Sequence, residues 1–402
     1  MNQEQLDHIA RDIGTPCYVY DAERIRENYR AISGAFASDT PLMICFAVKA
    51  NGNLSVLRML RELGAGFDVV SAGEMQRALR AGAAPETIVF AGVGKTDAEL
   101  SAALMAGIGW INVESAQELG VLSDLASHTG RKQRVALRIN PGVDAHTHSY
   151  MTTGKASNKF GIERETALDI ARRHADYPGV SVEGIHFHIG SMVTEPEPYV
   201  AAVQIALGLI AEFRDLGVVI NTLDIGGGFG VAYTPDQIGA PLGEIAAAIL
   251  PLIKAAGLEL HLEPGRYIVA DAGVLLTRVL YTKNNGGVNY AIVDAAMNDL
   301  IRPALYGARH MPTLVGVKQP GNSLLYELVG PVCESGDFLA HEAELPMLER
   351  GALIAFGHAG AYGMSMASNY NTRPRAPEVM VDGATCRIIR PRETLEHLMA
   401  GE

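Results

Sequence analysis

The chain has little of what would tie it to nucleic acid, to a membrane or to a disulfide framework. Its formal net charge is −12 over 402 residues, which argues against a polyanion or an anionic lipid surface as partner. No stretch is long and apolar enough to span a bilayer. The N-terminal MNQEQLDHIARDIG has acidic and polar residues where a secretory signal would have basic ones followed by an apolar run. Cysteine is scarce. Cys17, Cys45, Cys333 and Cys386 lie far apart with no CxxC pair, so neither a zinc site nor a disulfide scaffold is expected, and a reducing cytoplasm is. Disorder-prone composition is also missing: 48% hydrophobic and 19% charged residues predict a sizeable buried core.

What is present is a repeating pattern. Leu42 to Val48 reads as a buried strand, with Lys49 where it opens into a loop. Further apolar runs end near Val70, Ala91 and Val113, spaced by ~22 residues, the length of one strand-plus-helix unit. RVALRIN (134–140), VEGIHFHIG (182–190), TLDIGG (222–227) and LELHLEP (258–264) continue the series. Helix-period segments such as Leu54 to Leu63, Ala72 to Ala81 and Thr96 to Met105 lie between them. Strict alternation over a span close to the ~250 residues typical of the fold predicts a (β/α)8 TIM barrel rather than an open sheet. Residues 142–161 form a longer polar loop of the kind that is usually functional or mobile. After Arg266 strand-like runs follow one another with few helices, which predicts a mainly antiparallel β domain. The expected division is a barrel over 22–270 and a β domain made of 1–21 plus 271–402, the extended TPCYVYD joining the latter.

A barrel of this kind carries its active site at the C-terminal strand ends. Here those ends hold Lys49, Glu114, Arg138, Asn140, His186, His188, Gly226 to Gly228, Glu263 and Arg266. A lysine after seven apolar residues is costly to desolvate, and a lowered pKa would suit it to Schiff-base chemistry; the plain alternative is a side chain that reaches back to solvent. Three consecutive glycines in DIGGGFG let backbone N–H groups approach a phosphate, or form a turn that binds nothing. HFHIGS places His186 and His188 on one strand face. No acidic or cysteine partner lies at ligand spacing, so no metal is expected. His186 reads as a satisfied core histidine and His188 as a ring able to stack on an aromatic cofactor, with Ser191 near a phosphate. Glu263 in EPGR could face a pyridine nitrogen, with Arg266 binding an anion, or the two could form an internal pair.

With FAVKAN, FDVVSAGE, NPGVDAHTHSYMTTGKASNKFGI, HIGS, DIGGGFG, EPGR, RPALYGA, CESGD and AYGMSMASNYN in this order, the chain resembles the fold-type III pyridoxal-phosphate-dependent decarboxylases of the alanine-racemase-like barrel group. Within them it is most similar to the diaminopimelate decarboxylase family. The resemblance implies pyridoxal 5′-phosphate held by Lys49, with Asp68 beside it, His188 on the ring and Glu263 at the ring nitrogen. Ser191, Gly227, Gly228, Gly265, Arg266 and Tyr362 would complete the cofactor site. It further implies that Arg266, Arg302, Tyr306, Glu334 and Tyr362 bind the substrate. Cys333 would be the proton donor, reaching with Glu334 into the other subunit's site of a homodimer. Arg302 and Glu334 together suit a distal amino-acid head, and meso-diaminopimelate has one, the product being L-lysine. Cys45 and Phe46 stand where a tyrosine is common in the family, and Arg309 where a less basic residue is. A relative acting on a carrier-linked or siderophore-precursor amino acid is therefore the alternative. A racemase would need a tyrosine base where CESGD has a cysteine, and non-catalytic carriers of the group are single barrels.

Overall fold

The structure, a computed structural model, describes residues 1–143, 159–316 and 322–402. Residues 144–158, the greater part of the 142–161 loop, lie outside the described residues. The chain divides into two compact units: Tyr29–Val231 with Ile238–Gly265, and Met1–Asn28 with Ala232–Gln237 and Arg266–Glu402.

The first unit is a closed barrel of eight parallel strands: Leu42–Ala47, Gly66–Val69, Ile88–Phe90, Trp110–Val113, Gln133–Arg138, Val180–His186, Thr222–Asp224 and Glu259–Leu262. Closure is made where Leu42 pairs with Leu260. The strands are buried almost throughout, as parallel strands covered on both faces require. Cys45, Val89, Trp110 and Ala136 form one buried cluster, and the same alternating face leads on to Lys49, Asp68 and Asn112. Short polar links turn strands into helices. Ser71 and Ser115 cap the helices Ala72–Arg80 and Ala116–Ser127 by accepting from the N–H groups of Glu74 and Glu118. Those two glutamates reach back to the N–H groups of Val70 and Glu114, so each cap also pins the strand end that precedes it.

The second unit is built on a nine-stranded sheet in which the central path runs Phe338–Pro346, Ser323–Val329, Val288–Val293, Gly273–Asn285, Cys17–Asp21, Glu378–Asp382, Thr385–Arg390. Most pairs are antiparallel; Cys17–Asp21 with Glu378–Asp382 and Val288–Val293 with Ser323–Val329 are parallel. Leu6, Ile9, Cys17, Val19, Leu276 and Val379 belong to its core, which draws the amphipathic helix Gln3–Asp12 onto the sheet. All four cysteines are free thiols.

Candidate functional site

Lys49 does not lie in a loop. It occupies a 3-10 turn, Val48–Ala50, that continues directly from the first strand. The register pairs Ala47 with Asp68, so a residue two beyond Ala47 on the same face meets the Asp68 side chain. The Lys49 ammonium forms an ion pair with Asp68, which is fully buried while Lys49 keeps 41% of its side chain exposed. The second oxygen of Asp68 has no protein partner among the described residues. Burial and Glu263 push the Asp68 carboxyl up, against the pull of Lys49.

His186, Asp224 and His261 are aligned across three strands, Asp224 pairing with both histidines. Glu263 follows two residues after His261. Its carboxylate accepts from the Asn112 amide at 2.9 Å and meets His186 Nε2 at 3.2 Å. Burial opposes its ionisation, but His186 and Lys49 outweigh that and hold it well below the usual carboxylate range. The strand pattern reads His186 as a satisfied core histidine; in the structure one of its two ring nitrogens meets a partner among the described residues. It is buried, but Nε2 serves Glu263 and Nδ1 has no protein partner among the described residues. Nor is it without acids: folding brings Asp224 and Glu263 within 4.8 Å of it, from strands that sequence spacing does not relate.

The His188 ring accepts from the Gly227 N–H at 3.3 Å. Burial, with Arg138 and Lys49 nearby, lowers its pKa to about 3, so the ring is neutral at ordinary pH. Gly227 and Gly228 need to be glycine. A Cβ on Gly227 would come 2.3 Å from the Glu263 carbonyl oxygen, and one on Gly228, at φ +95°, would come 2.4 Å from that of Gly190. Tyr199 secures the turn by donating to the Gly227 carbonyl at 3.0 Å. Ser191 is half-buried, and Gly265 packs on Ala47 and Ala50, its Cβ position 3.0 Å from each. Of the other strand-end residues, Arg138 and Glu114 pair with each other at 2.6 Å, and Glu114 also accepts from the Gly161 N–H. That pair is internal to the scaffold.

The second unit gathers cations and rings. Arg266 donates to the Tyr233 hydroxyl at 2.8 Å and lies 4.9 Å from the centre of the Tyr362 ring. Arg302, in the short helix Arg302–Tyr306, donates to the same hydroxyl at 3.1 Å and to His310 Nε2 at 3.1 Å. His310 can accept there because its Nδ1 donates to the Gly357 carbonyl at 2.9 Å, which sets the tautomer. Burial and Arg302 lower its pKa to about 3. Tyr306 is half-buried at the end of that helix. Tyr362 has φ +56°, uncommon for a bulky residue.

In the CESGD turn Asp337 accepts from the N–H groups of Met297 and Val332, both at 2.7 Å. Cys333 and Glu334 are left exposed at its tip, with the Cys333 N–H donating to Asn371 at 2.9 Å.

Asn112, Asp224, Tyr233 and His310 were not legible as site residues. Asn112 and Asp224 did leave a trace, as polar residues interrupting the apolar runs WINV and TLDIGG.

The donor set fits pyridoxal phosphate. A buried carboxylate held ionised suits a protonated pyridine nitrogen, a cradle that admits no Cβ suits a phosphate, and Lys49 lies beside both an acid and solvent. Comparison with known proteins agrees. Residues 22–270 match the family described as "Pyridoxal-dependent decarboxylase, pyridoxal binding domain". The chain is 49% identical to diaminopimelate decarboxylase of Pseudomonas aeruginosa over 398 residues, covering 99% of this chain and 95% of that one. It is 47% identical to the Vibrio cholerae protein of the same name over 401 residues, covering 100% and 95%. The crystal structure of diaminopimelate decarboxylase from Helicobacter pylori complexed with L-lysine superposes with a TM-score of 0.93, at 41% identity and 98% coverage of both chains. The chain belongs to the diaminopimelate decarboxylase family of pyridoxal-dependent decarboxylases.

Proposed function

We propose that this family member is a pyridoxal-phosphate-dependent carboxy-lyase that converts meso-2,6-diaminopimelate to L-lysine and carbon dioxide. The observation that carries the reading is the full-length similarity to diaminopimelate decarboxylases, joined to a barrel end whose buried acid, glycine cradle and lysine suit the cofactor. When bound, the cofactor supplies an electron sink for the pair left at Cα as carbon dioxide departs.

The protein's part is to bind, orient and protonate. Lys49 would hold the cofactor, with Asp68 keeping its amine in place. Glu263 would support a proton on the ring nitrogen, and the neutral His188 ring would lie beside the ring. Ser191, Gly227, Gly228 and Gly265, with Arg266 and Tyr362, would hold the remainder. Arg302 and Tyr306 take the distal carboxylate of the substrate. Glu334 takes the distal ammonium, and the Cys333 thiol delivers a proton to Cα. Ornithine and lysine lack the distal carboxylate, so they would leave a buried guanidinium unmatched. The exposed tip of the CESGD turn suits a homodimer in which Cys333 and Glu334 serve the site of a second copy. Four free thiols suit a reducing compartment, and we place the enzyme in the cytoplasm.

The test is to mix cofactor-loaded protein with meso-diaminopimelate and identify the product by mass and chirality. L-lysine with equimolar carbon dioxide is expected; release of no carbon dioxide would overturn the reading.

A further inference from the structure

The seventh and eighth barrel strands deliver two carboxyl groups to one buried place. Asp224 and Glu263 are both buried, and with His186 their polar atoms lie within 4.8 Å of one another. An ionised carboxylate has only acceptors, so two carboxyls this close can share a hydrogen bond only when one of them carries a proton. Repulsion between like charges at this range, away from water, favours that proton.

The surroundings decide which acid keeps the proton. Glu263 receives the Asn112 amide at 2.9 Å and His186 Nε2 at 3.2 Å. Asp224 receives one backbone N–H, that of Gly226, at 2.8 Å on Oδ1. Glu263 thus has two side-chain donors to support a negative charge and Asp224 has none among the described residues.

We propose that Asp224 is a neutral carboxylic acid in the working enzyme, a positioning residue whose O–H donates to Glu263 and completes a ring of three donors around that carboxylate. The direction of the proton affinities agrees: burial and the Glu263 charge push the Asp224 carboxyl well above the ordinary range, while Glu263 is held below it. Asp68 and Cys45 also face this group, and neither supplies a positive charge.

Two consequences follow from the placement. Three donors leave Glu263 little rotational freedom, so its charge is aimed before any ligand arrives. The same Asp224 side chain holds the N–H of Gly226, the first of the three consecutive glycines. One neutral acid therefore ties the Glu263 carboxylate to the glycine cradle. The inference rests on the reading of Glu263 as the ring-nitrogen partner for its functional meaning, but the shared proton itself does not.

The test compares holoenzymes carrying Asp224→Asn and Asp224→Ala. Asparagine keeps an acceptor for Gly226 and an N–H donor for Glu263, without charge. It is expected to leave cofactor affinity and kcat/KM within about threefold of the wild type, whereas alanine, which removes the donor, weakens cofactor affinity about tenfold. The infrared difference spectrum of wild type minus Asp224→Asn at pH 8 should show a protonated-carboxyl stretch. Absence of that band, or an asparagine variant as impaired as the alanine one, would overturn the proposal. If the alanine variant does not fold, the band and the asparagine variant's affinity still decide. Glu263→Gln separates the two claims: full activity in that variant would remove Glu263 from the ring nitrogen, while the wild-type band would still report the proton on Asp224.

Discussion

In the barrel unit buried acids meet bases or donors. Lys49 lies on Asp68, Arg138 on Glu114 at 2.6 Å, Lys95 on Glu118 at 2.6 Å, and Glu263 is ringed by N–H groups. In the sheet unit Arg302 is 4% exposed, yet its hydrogen bonds run to a tyrosine hydroxyl and a neutral imidazole, and no carboxylate pairs with it among the described residues. The contrast shows what buried charge is for. A buried pair of opposite sign is nearly neutral and closed, and it organises the scaffold. A buried cation oriented by neutral acceptors keeps its charge for an incoming anion, at the cost of being poorly compensated in its absence. Lys49 stands between these cases, paired but partly exposed.

The largest effect tests whether Lys49 is more than a structural partner of Asp68. Lys49→Ala is expected to lower kcat by on the order of 10⁴-fold and to abolish the visible absorption of the bound cofactor. Retained turnover would reduce the pair to scaffold. Next comes the exposed thiol of the sheet unit. Cys333→Ser is expected to cut kcat about 10²-fold or more with KM little changed, the pattern of a lost proton donor; a loss confined to KM would contradict that role. The unpaired cation follows. Arg302→Ala should raise KM for meso-diaminopimelate about 10- to 150-fold, as for a lost charge-assisted hydrogen bond. His310→Gln, which keeps an acceptor toward Arg302, should do much less than His310→Ala. Equal KM for all three variants and the wild type would erase the contrast drawn above.

A smaller effect concerns pH. His261 in the barrel has its pKa lowered to about 4 by burial, and His188 to about 3. Both bind a proton more readily unfolded, near pH 6.5, so the stability of the neutral folded form is whole above that pH and is lost as pH falls toward the folded values. For His261 alone the loss is about 3 kcal/mol by pH 4. Urea midpoints should therefore fall steadily from pH 7 to pH 5, and a flat or rising profile would show that these rings titrate freely in the fold. The smallest effect belongs to a surface pair. Lys254 meets Asp39 at 2.7 Å with both side chains largely exposed, and Lys254→Ala should leave the midpoint unchanged within error.

Much of the barrel was legible because its strands are short, apolar and evenly spaced, and because each ends in a residue that an apolar run cannot easily hold. Lys49, His188 and Glu263 stood out for that reason, and Gly227 as one of three consecutive glycines. The 3-10 turn at Val48–Ala50 did not, since a three-residue turn leaves no periodic trace. Tyr233 was hidden differently. It follows the glycine run of a barrel strand, yet Ala232–Gln237 packs with the sheet unit, and sequence neighbours do not announce such an excursion. His310 looked like one more residue after RPALYGA, and only its bond to Arg302 gives it a place.

By itself the amino-acid order determined the alternation of strands and helices, the change of texture after Arg266 and the chemical kinds at the strand ends, since these rest on local periodicity and the cost of burying charge. Tertiary structure alone decided which groups meet: that Asp68 faces Lys49, that Asn112 and His186 support Glu263, and that Tyr233 and His310 orient Arg302. It also decided where protons reside, because a proton affinity depends on burial and on charges a few ångströms away, and those distances exist only once strands far apart in the chain are set side by side.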